Sequence, residues 1–195
     1  PNSIFIKTKL GTVYHTGDWK IDLDPVVGET IDLDSLKSNS KEILAMICDS
    51  TNVLTKGRSG SESEVKGNLI NLIKHQKNRV FVTSFASNVA RLETIAAAAK
   101  ESKRSLVVLG RSMHRMISVA RQNGILAEID IILSEKEASK KRKEEVLYLC
   151  TGSQGEPRGA MMRIANQDFP HVDIDQDDTI IFSSKIIPGN EKKIF

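Results

Sequence analysis

Residues 79–109 read RVFVTSFASNVARLETIAAAAKESKRSLVVL, and this stretch decides the fold. Its first apolar run, Arg79–Thr83, is typical of a buried strand, and its second, Ser105–Leu109, repeats the pattern. Between them, Asn88–Lys100 is rich in alanine and places apolar residues on one face of a helix. A strand, a helix and a second strand in this order predict a parallel pair of strands joined by a crossing helix.

The same alternation of strand and helix continues on both sides of this stretch. The further predicted elements are helices over 65–75 and 113–122, a strand over 146–150, a helix that starts near Pro157 and ends at Ala165, and a strand over 179–182. Strands that alternate with helices form parallel sheets covered on both faces. We therefore predict an α/β fold for residues 61–195, with a parallel sheet flanked by helices.

Residues 1–60 have a different pattern and are predicted to form a separate domain. Two short strands, Gly11–Tyr14 and Ile43–Cys48, enclose an acidic segment that contains the loop signals Pro25 and Gly28. A connector rich in glycine and serine follows over residues 55–62 and marks the boundary. The chain starts Pro-Asn-Ser, without a methionine, and we expect it to be a piece of a longer protein.

Composition excludes several classes of protein. The 195 residues carry 28 Lys+Arg and 25 Asp+Glu, and a net charge of +3 does not by itself indicate nucleic-acid binding. No run reaches the roughly 18 apolar residues of a membrane span, and the first residues lack the apolar core of a secretory signal. Cys48 and Cys150 show no CxxC spacing, which argues against a disulfide framework or a zinc knuckle. We predict a cytoplasmic protein with no membrane partner.

The strands of the predicted parallel sheet end in small and hydroxyl-bearing residues. Since parallel strands end at one edge of a sheet, these loops should converge there, and we call that place the carboxyl edge. Its loops are SFASN at 84–88, GRS at 110–112, TGSQG at 151–155 and SSK at 183–185. Hydroxyls and helix N-termini suit a phosphate, but the same residues serve as ordinary helix caps. The residues alone leave both interpretations open.

Other polar segments have two interpretations each. The turn His15-Thr-Gly-Asp18 could bring a carboxylate to a metal, or Asp18 could cap the turn. Arg111 could bind a phosphate or a surface carboxylate. The basic run at 136–145 is typical of a solvated helix or loop, with an RNA-backbone contact as the alternative. The acidic stretch at 168–178 lacks the ligand spacing of a calcium loop.

Seven segments, taken in order, resemble a known family. They are HTGDWK at 15–20, DSTN at 49–52, Ser61-Glu62 with Val65, FASNV at 85–89 with Arg91, GRSM at 110–113, TGSQGEP at 151–157, and Ser183-Ser184 with IPGNE at 187–191. Together they resemble ribonuclease J, a member of the β-CASP group of the metallo-β-lactamase superfamily. The chain departs from the family at Ala90, where relatives often carry histidine, and at Arg158-Gly159, where apolar residues are commoner.

The resemblance implies an organisation and an activity. Residues 1–60 would be the C-terminal portion of a metallo-β-lactamase segment of αββα type, and residues 61–195 would be most of a β-CASP domain. The parent protein would be a metal-dependent ribonuclease with 5′→3′ exonuclease and endonuclease activity on single-stranded, 5′-monophosphorylated RNA. It would use two zinc ions, with manganese or magnesium as alternatives, and form a homo-oligomer.

The resemblance also implies roles for individual residues. Asp18 would bridge the metals, and Asp49 would orient a metal ligand. Ser87 would line the 5′-monophosphate pocket. The other predicted substrate-binding residues on the carboxyl edge are Asn88, Arg111, Ser112, Ser153 and Ser184. The HxHxDH ligands of the family are missing from the sequence, so we expect the chain alone to be inactive. The alternative function is a non-catalytic α/β module that binds RNA or a nucleotide.

Overall fold

The chain folds into two units in the computed structural model, which describes residues 2–126, 129 and 132–195. The first, called the N-terminal unit, ends at Ser61, and the second, called the C-terminal unit, spans Glu62–Phe195. The change from one to the other falls in the connector rich in glycine and serine. Each unit is built from its own sheet.

The N-terminal unit contains one three-stranded sheet with the order β1-β2-β3. Its strands are β1 (Ile4–Thr8), β2 (Gly11–His15) and β3 (Ile43–Ile47). The pair β1–β2 is antiparallel, whereas β2 and β3 run parallel. The acidic segment, predicted as a loop, contains helix α1 (Leu33–Asn39), so that prediction was wrong there. Asp32 caps this helix by accepting a hydrogen bond from the backbone N–H of Ser35 at 2.9 Å.

The apolar side chains of the N-terminal unit are not buried by the unit itself. Among residues 2–61, only Thr12 and Thr16 are buried. Leu44 and Met46, on the middle of β3, are 67% and 61% exposed. Cys48, predicted as part of this strand, follows it and is exposed as well. A sheet normally buries at least one face, so this one lacks a core made from its own residues.

The C-terminal unit is built on a five-stranded sheet in which every strand pair is parallel. The strands lie in the order β6-β5-β7-β4-β8. They are β4 (Val80–Thr83), β5 (Ser105–Leu109), β6 (Ile132–Leu133), β7 (Val146–Cys150) and β8 (Thr179–Phe182). All four strands predicted for this part are present, and the short β6 adds a fifth at one end of the sheet.

Helices cover both faces of this sheet. The helices of this unit are α2 (Glu62–Lys74), α3 (Val89–Glu101), α4 (Arg111–Gln122), α5 (Glu135–Ala138), α6 (Ala160–Ala165) and α7 (Glu191–Ile194), and all but α7 contribute buried residues. The helix predicted from Pro157 begins only at Ala160, because the preceding residues form a turn closed by a 2.8 Å bond from Gly159 N–H to Glu156 C=O. On α2, Leu69 and Ile73 are buried, whereas Leu72 is 47% exposed.

Two separate apolar clusters show that the strands are buried from both sides. Val80 and Val82 of β4 pack with α2, α3 and α4 in the first cluster, whereas Phe81 belongs to the second cluster with α5 and α6. Phe81 also stacks on Tyr148 of β7, with ring centroids 4.6 Å apart. Side chains alternate between faces along a strand, so β4, β5 and β7 contribute to both clusters, whereas β8 contributes only Ile181, to the first. The predicted α/β fold of this part is confirmed.

Three carboxylates of the acidic stretch at 168–178 form ion pairs with one arginine side chain. Arg79 forms ion pairs with Asp173, Asp175 and Asp178 at 2.6–2.9 Å, and Lys143 reaches Asp175 at 2.5 Å. Burial of the Arg79 guanidinium opposes its charge, but the hydrogen bonds to Asp178 and Asp173 outweigh this and raise its pKa. This acidic stretch therefore has a structural role.

No helix in the described part of the chain is both long and apolar enough to cross a membrane.

The two cysteines lie in contrasting environments, and their reactivity should differ. Cys150 is fully buried at the end of β7, and burial raises the pKa of its thiol, whereas Cys48 is exposed. We expect iodoacetamide to alkylate Cys48 in the native chain and to reach Cys150 at least about a hundredfold more slowly, because Cys150 reacts only after opening of the sheet. Mass spectrometry of the two cysteine peptides measures this ratio.

A Cys48→Ser variant is the control for this experiment. It should take up no label while folded and one label in denaturant. Equal labelling of both cysteines in the native chain would show that β7 is not buried as described.

Candidate functional site

The predicted catalytic residues lie at one end of the sheet in the N-terminal unit, where β2 and β3 end side by side. The backbone N–H of Thr16 donates to the Ile47 carbonyl at 3.0 Å, and Asp49 N–H donates to Thr16 Oγ1 at 3.2 Å. The indole Nε1–H of Trp19, next to Asp18, donates to the Asp49 carbonyl at 3.1 Å. These three bonds tie the turn that carries Asp18 to the turn that carries Asp49.

The turn before Asp18 needs a glycine. Gly17 has φ +61°, and a Cβ at this position would lie 2.9 Å from the Asn2 carbonyl oxygen. Its N–H donates to Nδ1 of His15 at 3.0 Å, which fixes the start of the turn. The chain then turns sharply and leaves Asp18 exposed. The His15–Asp18 segment thus presents a carboxylate to solvent at the end of a strand.

Asp49 is held by its own turn. Its Oδ1 accepts hydrogen bonds from the hydroxyl of Thr51 at 2.6 Å and from the backbone N–H of Thr51 at 2.9 Å. These two bonds, the hydroxyl first, lower the pKa of Asp49. At neutral pH the group is therefore a carboxylate, which can only accept hydrogen bonds.

The carboxyl edge of the five-stranded sheet holds the residues predicted to bind phosphate. Ser87 lies exposed in the turn between β4 and α3, and Arg111 and Ser112 are exposed in the first turn of α4. Gly110, the residue before α4, has φ +117° and makes no side-chain cap, and a Cβ there would lie 2.5 Å from Oγ1 of Thr151. Helix α4 thus begins with backbone N–H groups that no capping side chain occupies.

Asn88 serves the helix that follows it. Its Oδ1 accepts a hydrogen bond from the backbone N–H of Arg91 at 3.1 Å, so it is the N-cap of α3. The capping interpretation therefore holds for Asn88, whereas the start of α4 lacks such a cap. The two helices differ at the end that faces the carboxyl edge.

Ser153 is in the loop after β7 but does not reach the surface. It is 1% exposed, and its Oγ has no hydrogen-bond partner in the described part of the chain. Thr83 lies at the end of the neighbouring strand β4, and its Oγ1 likewise has no hydrogen-bond partner among the described residues. In this conformation a ligand on the carboxyl edge does not touch the Ser153 hydroxyl.

Ser184 is joined to the β7 loop by Gln154. Gln154 is 4% exposed, and its Nε2 donates to Ser184 Oγ at 3.1 Å and to the Lys185 carbonyl at 3.0 Å. Its Oε1 accepts from the backbone N–H of Ile187 at 2.9 Å. One buried amide therefore fixes the segment that follows β8 against the loop that follows β7.

A second contact, built on an ion pair, joins the end of β8 to helices α2 and α3. Arg91 on α3 binds Glu62 at the start of α2 through two bonds of 2.6 and 3.0 Å, and Glu62 also accepts from the hydroxyl of Thr94. Arg91 Nη1 donates to both the carbonyl and the hydroxyl of Ser183, each at 2.8 Å. The starts of α2 and α3 and the end of β8 are thus joined at one point.

Sequence reasoning assigned no role to Gln154, Arg91 or Glu62, although all three lie in the segments that carry the family resemblance. Arg91 contacts residues 29 and 92 positions away, and Gln154 contacts Ser184 across 30 positions. Hydrophobic periodicity within a short window of sequence cannot predict contacts over such separations. The signal that could have found them is their position, since each polar residue lies within a few residues of a predicted strand end or helix start.

Together, the exposed groups of the carboxyl edge suit an oxyanion. Hydroxyls, a guanidinium and uncapped helix N–H groups all donate hydrogen bonds. Arginine side chains and helix N-termini are both common phosphate-binding groups in proteins. A metal site is a different matter. Within residues 2–126, 129 and 132–195, no three His, Cys, Asp or Glu side chains form a group that could hold a metal ion.

Comparison with known proteins gives the same family along the whole chain. The family model described as "Ribonuclease J, beta-CASP domain" matches residues 77–195. The chain is 44% identical to ribonuclease J of Sinorhizobium meliloti over 100% of its length and 35% of that protein. It is 41% identical to ribonuclease J of Corynebacterium glutamicum and 33% identical to ribonuclease J2 of Bacillus subtilis, over 27% and 35% of those proteins. It thus spans about a third of the length of these curated relatives. With a β-CASP domain matched over 77–195 and relatives aligned to nearly every residue, the chain belongs to the ribonuclease J family.

Proposed function

We propose that this chain is part of a metal-dependent ribonuclease that acts on single-stranded RNA, and that its carboxyl edge binds the 5′-terminal monophosphate. The observation that carries the proposal is the start of α4, where Arg111 and Ser112 are exposed and no side chain caps the helix. Strand β7 lies between β5 and β4, so this helix start and the Ser87 turn flank the β7 loop. A phosphate between them would meet donors on two sides.

The charge of the phosphate supports this assignment. A 5′-monophosphate carries up to two negative charges and accepts several hydrogen bonds, and the positive end of a 12-residue helix adds to the Arg111 guanidinium. A 5′-hydroxyl offers neither the charge nor the acceptors. A pocket of this kind would therefore distinguish the two ends of an RNA and set the register for stepwise 5′→3′ removal, with internal cleavage when the 5′ end is not engaged.

The catalytic chemistry needs more than the described residues supply. Asp18 fits as one oxygen ligand of a site for two zinc ions, or manganese or magnesium, and Asp49 fits as a carboxylate that orients a ligand. When bound, such metals supply an activated water and stabilise the charge that develops on the phosphodiester. The described residues alone do not fit a complete metal site, so we derive no catalytic step from them.

A second function is favoured for the chain on its own. Because its described residues form no metal-binding group, the isolated 195-residue chain would act as an RNA- or nucleotide-binding module without turnover. For the complete ribonuclease, the proposal also includes a homo-oligomeric state and a cytoplasmic location.

The isolated chain should fail to cleave 5′-monophosphorylated RNA in the presence of zinc or manganese. The missing ligands, rather than misfolding, are the expected reason, so circular dichroism must show a folded chain in the same preparation. Gel analysis of a labelled oligonucleotide measures cleavage. Turnover by the isolated chain, sensitive to a chelator, would contradict an incomplete metal site.

In the complete enzyme, Asp18→Ala should abolish cleavage, and Asp49→Ala should lower kcat by about 10–100-fold, as expected for a residue that orients a metal ligand. Asp34→Ala is the matched control, because its side chain is 96% exposed on α1, outside the two turns that carry Asp18 and Asp49. Metal content by mass spectrometry accompanies the kinetics. Full activity of the Asp18 variant would remove this residue from the metal site.

Substitutions on the carboxyl edge should act on the choice of RNA end. Ser87→Ala and Arg111→Gln should each reduce the preference for 5′-monophosphorylated over 5′-hydroxyl RNA by about 10-fold or more, since each removes a hydrogen bond to a charged group. Ser118→Ala and Arg115→Gln are the matched controls, because both side chains are exposed further along α4. Steady-state kinetics on two RNAs that differ only at the 5′ end gives the ratio. Equal losses on both RNAs would count against the phosphate pocket.

A further inference from the structure

Two neighbouring hydroxyls at the end of β8 accept hydrogen bonds from buried side chains. Ser183 Oγ accepts from Arg91 Nη1 at 2.8 Å, and Ser184 Oγ accepts from Gln154 Nε2 at 3.1 Å. A hydroxyl that accepts at its oxygen still has its hydrogen to donate. In the described part of the chain, neither of these two hydroxyls donates to another group. Each serine is therefore set up as a donor.

The amide that holds Ser184 is fixed in its own orientation. Gln154 uses both amide hydrogens, towards Ser184 Oγ and the Lys185 carbonyl, and Oε1 accepts from Ile187 N–H at 2.9 Å and Asn190 Nδ2 at 3.4 Å. Exchanging the amide nitrogen and oxygen would set an oxygen against the Lys185 carbonyl and an N–H against the Ile187 N–H, so both backbone contacts would be mismatched. Because the amide is 4% exposed, water cannot replace these partners. Gln154 therefore presents an N–H to Ser184 in a single arrangement.

We propose that Gln154 is a positioning residue for substrate phosphate, because it directs the Ser184 hydroxyl to donate to an anionic oxygen at the carboxyl edge. Arg91 does the same for Ser183, held in turn by its paired bonds to Glu62. This inference rests on the proposed function, since the anion it serves is the 5′-monophosphate of the RNA. It adds Gln154 and Arg91 to that function as residues that act without touching the substrate.

A purely structural brace would behave differently. If Gln154 only joined the β7 loop to the segment after β8, its loss would lower stability and leave the preference for a 5′-monophosphate unchanged in the folded enzyme. Its effect on that preference would also be independent of Ser184. A positioning residue that works through Ser184 predicts the opposite for both measurements, because removing either partner removes the same hydrogen bond to phosphate.

The test is a double-mutant cycle on Gln154→Met and Ser184→Ala in the complete enzyme. Methionine has nearly the size of glutamine but forms none of its hydrogen bonds. Each single variant should reduce the ratio of kcat/KM for 5′-monophosphorylated over 5′-hydroxyl RNA by about tenfold. The double variant should lose no more than either single variant. The loss should appear as a higher KM for the phosphorylated RNA.

Two further variants keep the result interpretable. Gln122→Met is the matched control, because this glutamine is exposed at the end of α4. Gln154→Glu serves if the methionine variant does not fold. It keeps an acceptor for Ile187 N–H but cannot donate to Ser184, so it should lose the same preference.

Each outcome supports or overturns a definite statement. An unaltered enzyme without any preference for a 5′-monophosphate would overturn the proposed function and this inference with it. A normal preference in the unaltered enzyme that survives in a folded Gln154 variant, or additive losses in the double variant, would overturn the inference alone. Full preference in Ser184→Ala would do the same, whatever the Gln154 variants show.

Discussion

Parallel pairing in the five-stranded sheet is the constraint on which the candidate site depends. β4 pairs with β7 from Val80–Leu147 to Thr83–Cys150, and β5 and β8 continue the sheet on the two sides. Because all these strands run in one direction, their following loops meet at one edge. The register cannot slip, since a shift by one residue would turn Phe81 from one apolar cluster into the other. Core packing thus places four separate loops beside one another.

Buried polar side chains then fix what those loops present. Glu62 and Arg91 are both largely buried, and removing two charges from water costs free energy that their attraction does not reliably repay. The hydrogen bonds of Arg91 lead to the end of β8 and to the starts of α2 and α3. The effect of this ion pair is therefore to fix the end of β8 relative to the starts of α2 and α3. Gln154 has the same effect with an uncharged amide, which costs less to bury.

The sequence predicts the core elements well and the polar contacts poorly, for a physical reason. The strands at 105–109, 146–150 and 179–182 were predicted with their exact bounds, because short apolar runs between polar residues leave little freedom. Helix α1 was missed because it is short, exposed and held by the Asp32 cap rather than by apolar packing. Ser87 and Arg111 could be placed at strand ends from local pattern, but the contacts of Gln154 and Arg91 join segments that only the folded chain brings together. The metal-site roles of Asp18 and Asp49 were predicted from the family resemblance alone. A four-residue turn with one carboxylate is not enough to predict a metal site.

The two candidate sites differ in how much of their support comes from the chain itself. The carboxyl edge stands on a sheet whose strands β4, β5 and β7 are almost entirely buried, so its loops are positioned by a complete apolar core. The turns of Asp18 and Asp49 stand on a sheet with no fully buried apolar side chain, and hydrogen bonds join the two turns. Under the proposed function, recognition of the RNA end and cleavage of the RNA are therefore separable properties. Substitutions at the carboxyl edge act on which RNA is chosen, whereas substitutions at Asp18 act on cleavage whichever RNA is bound.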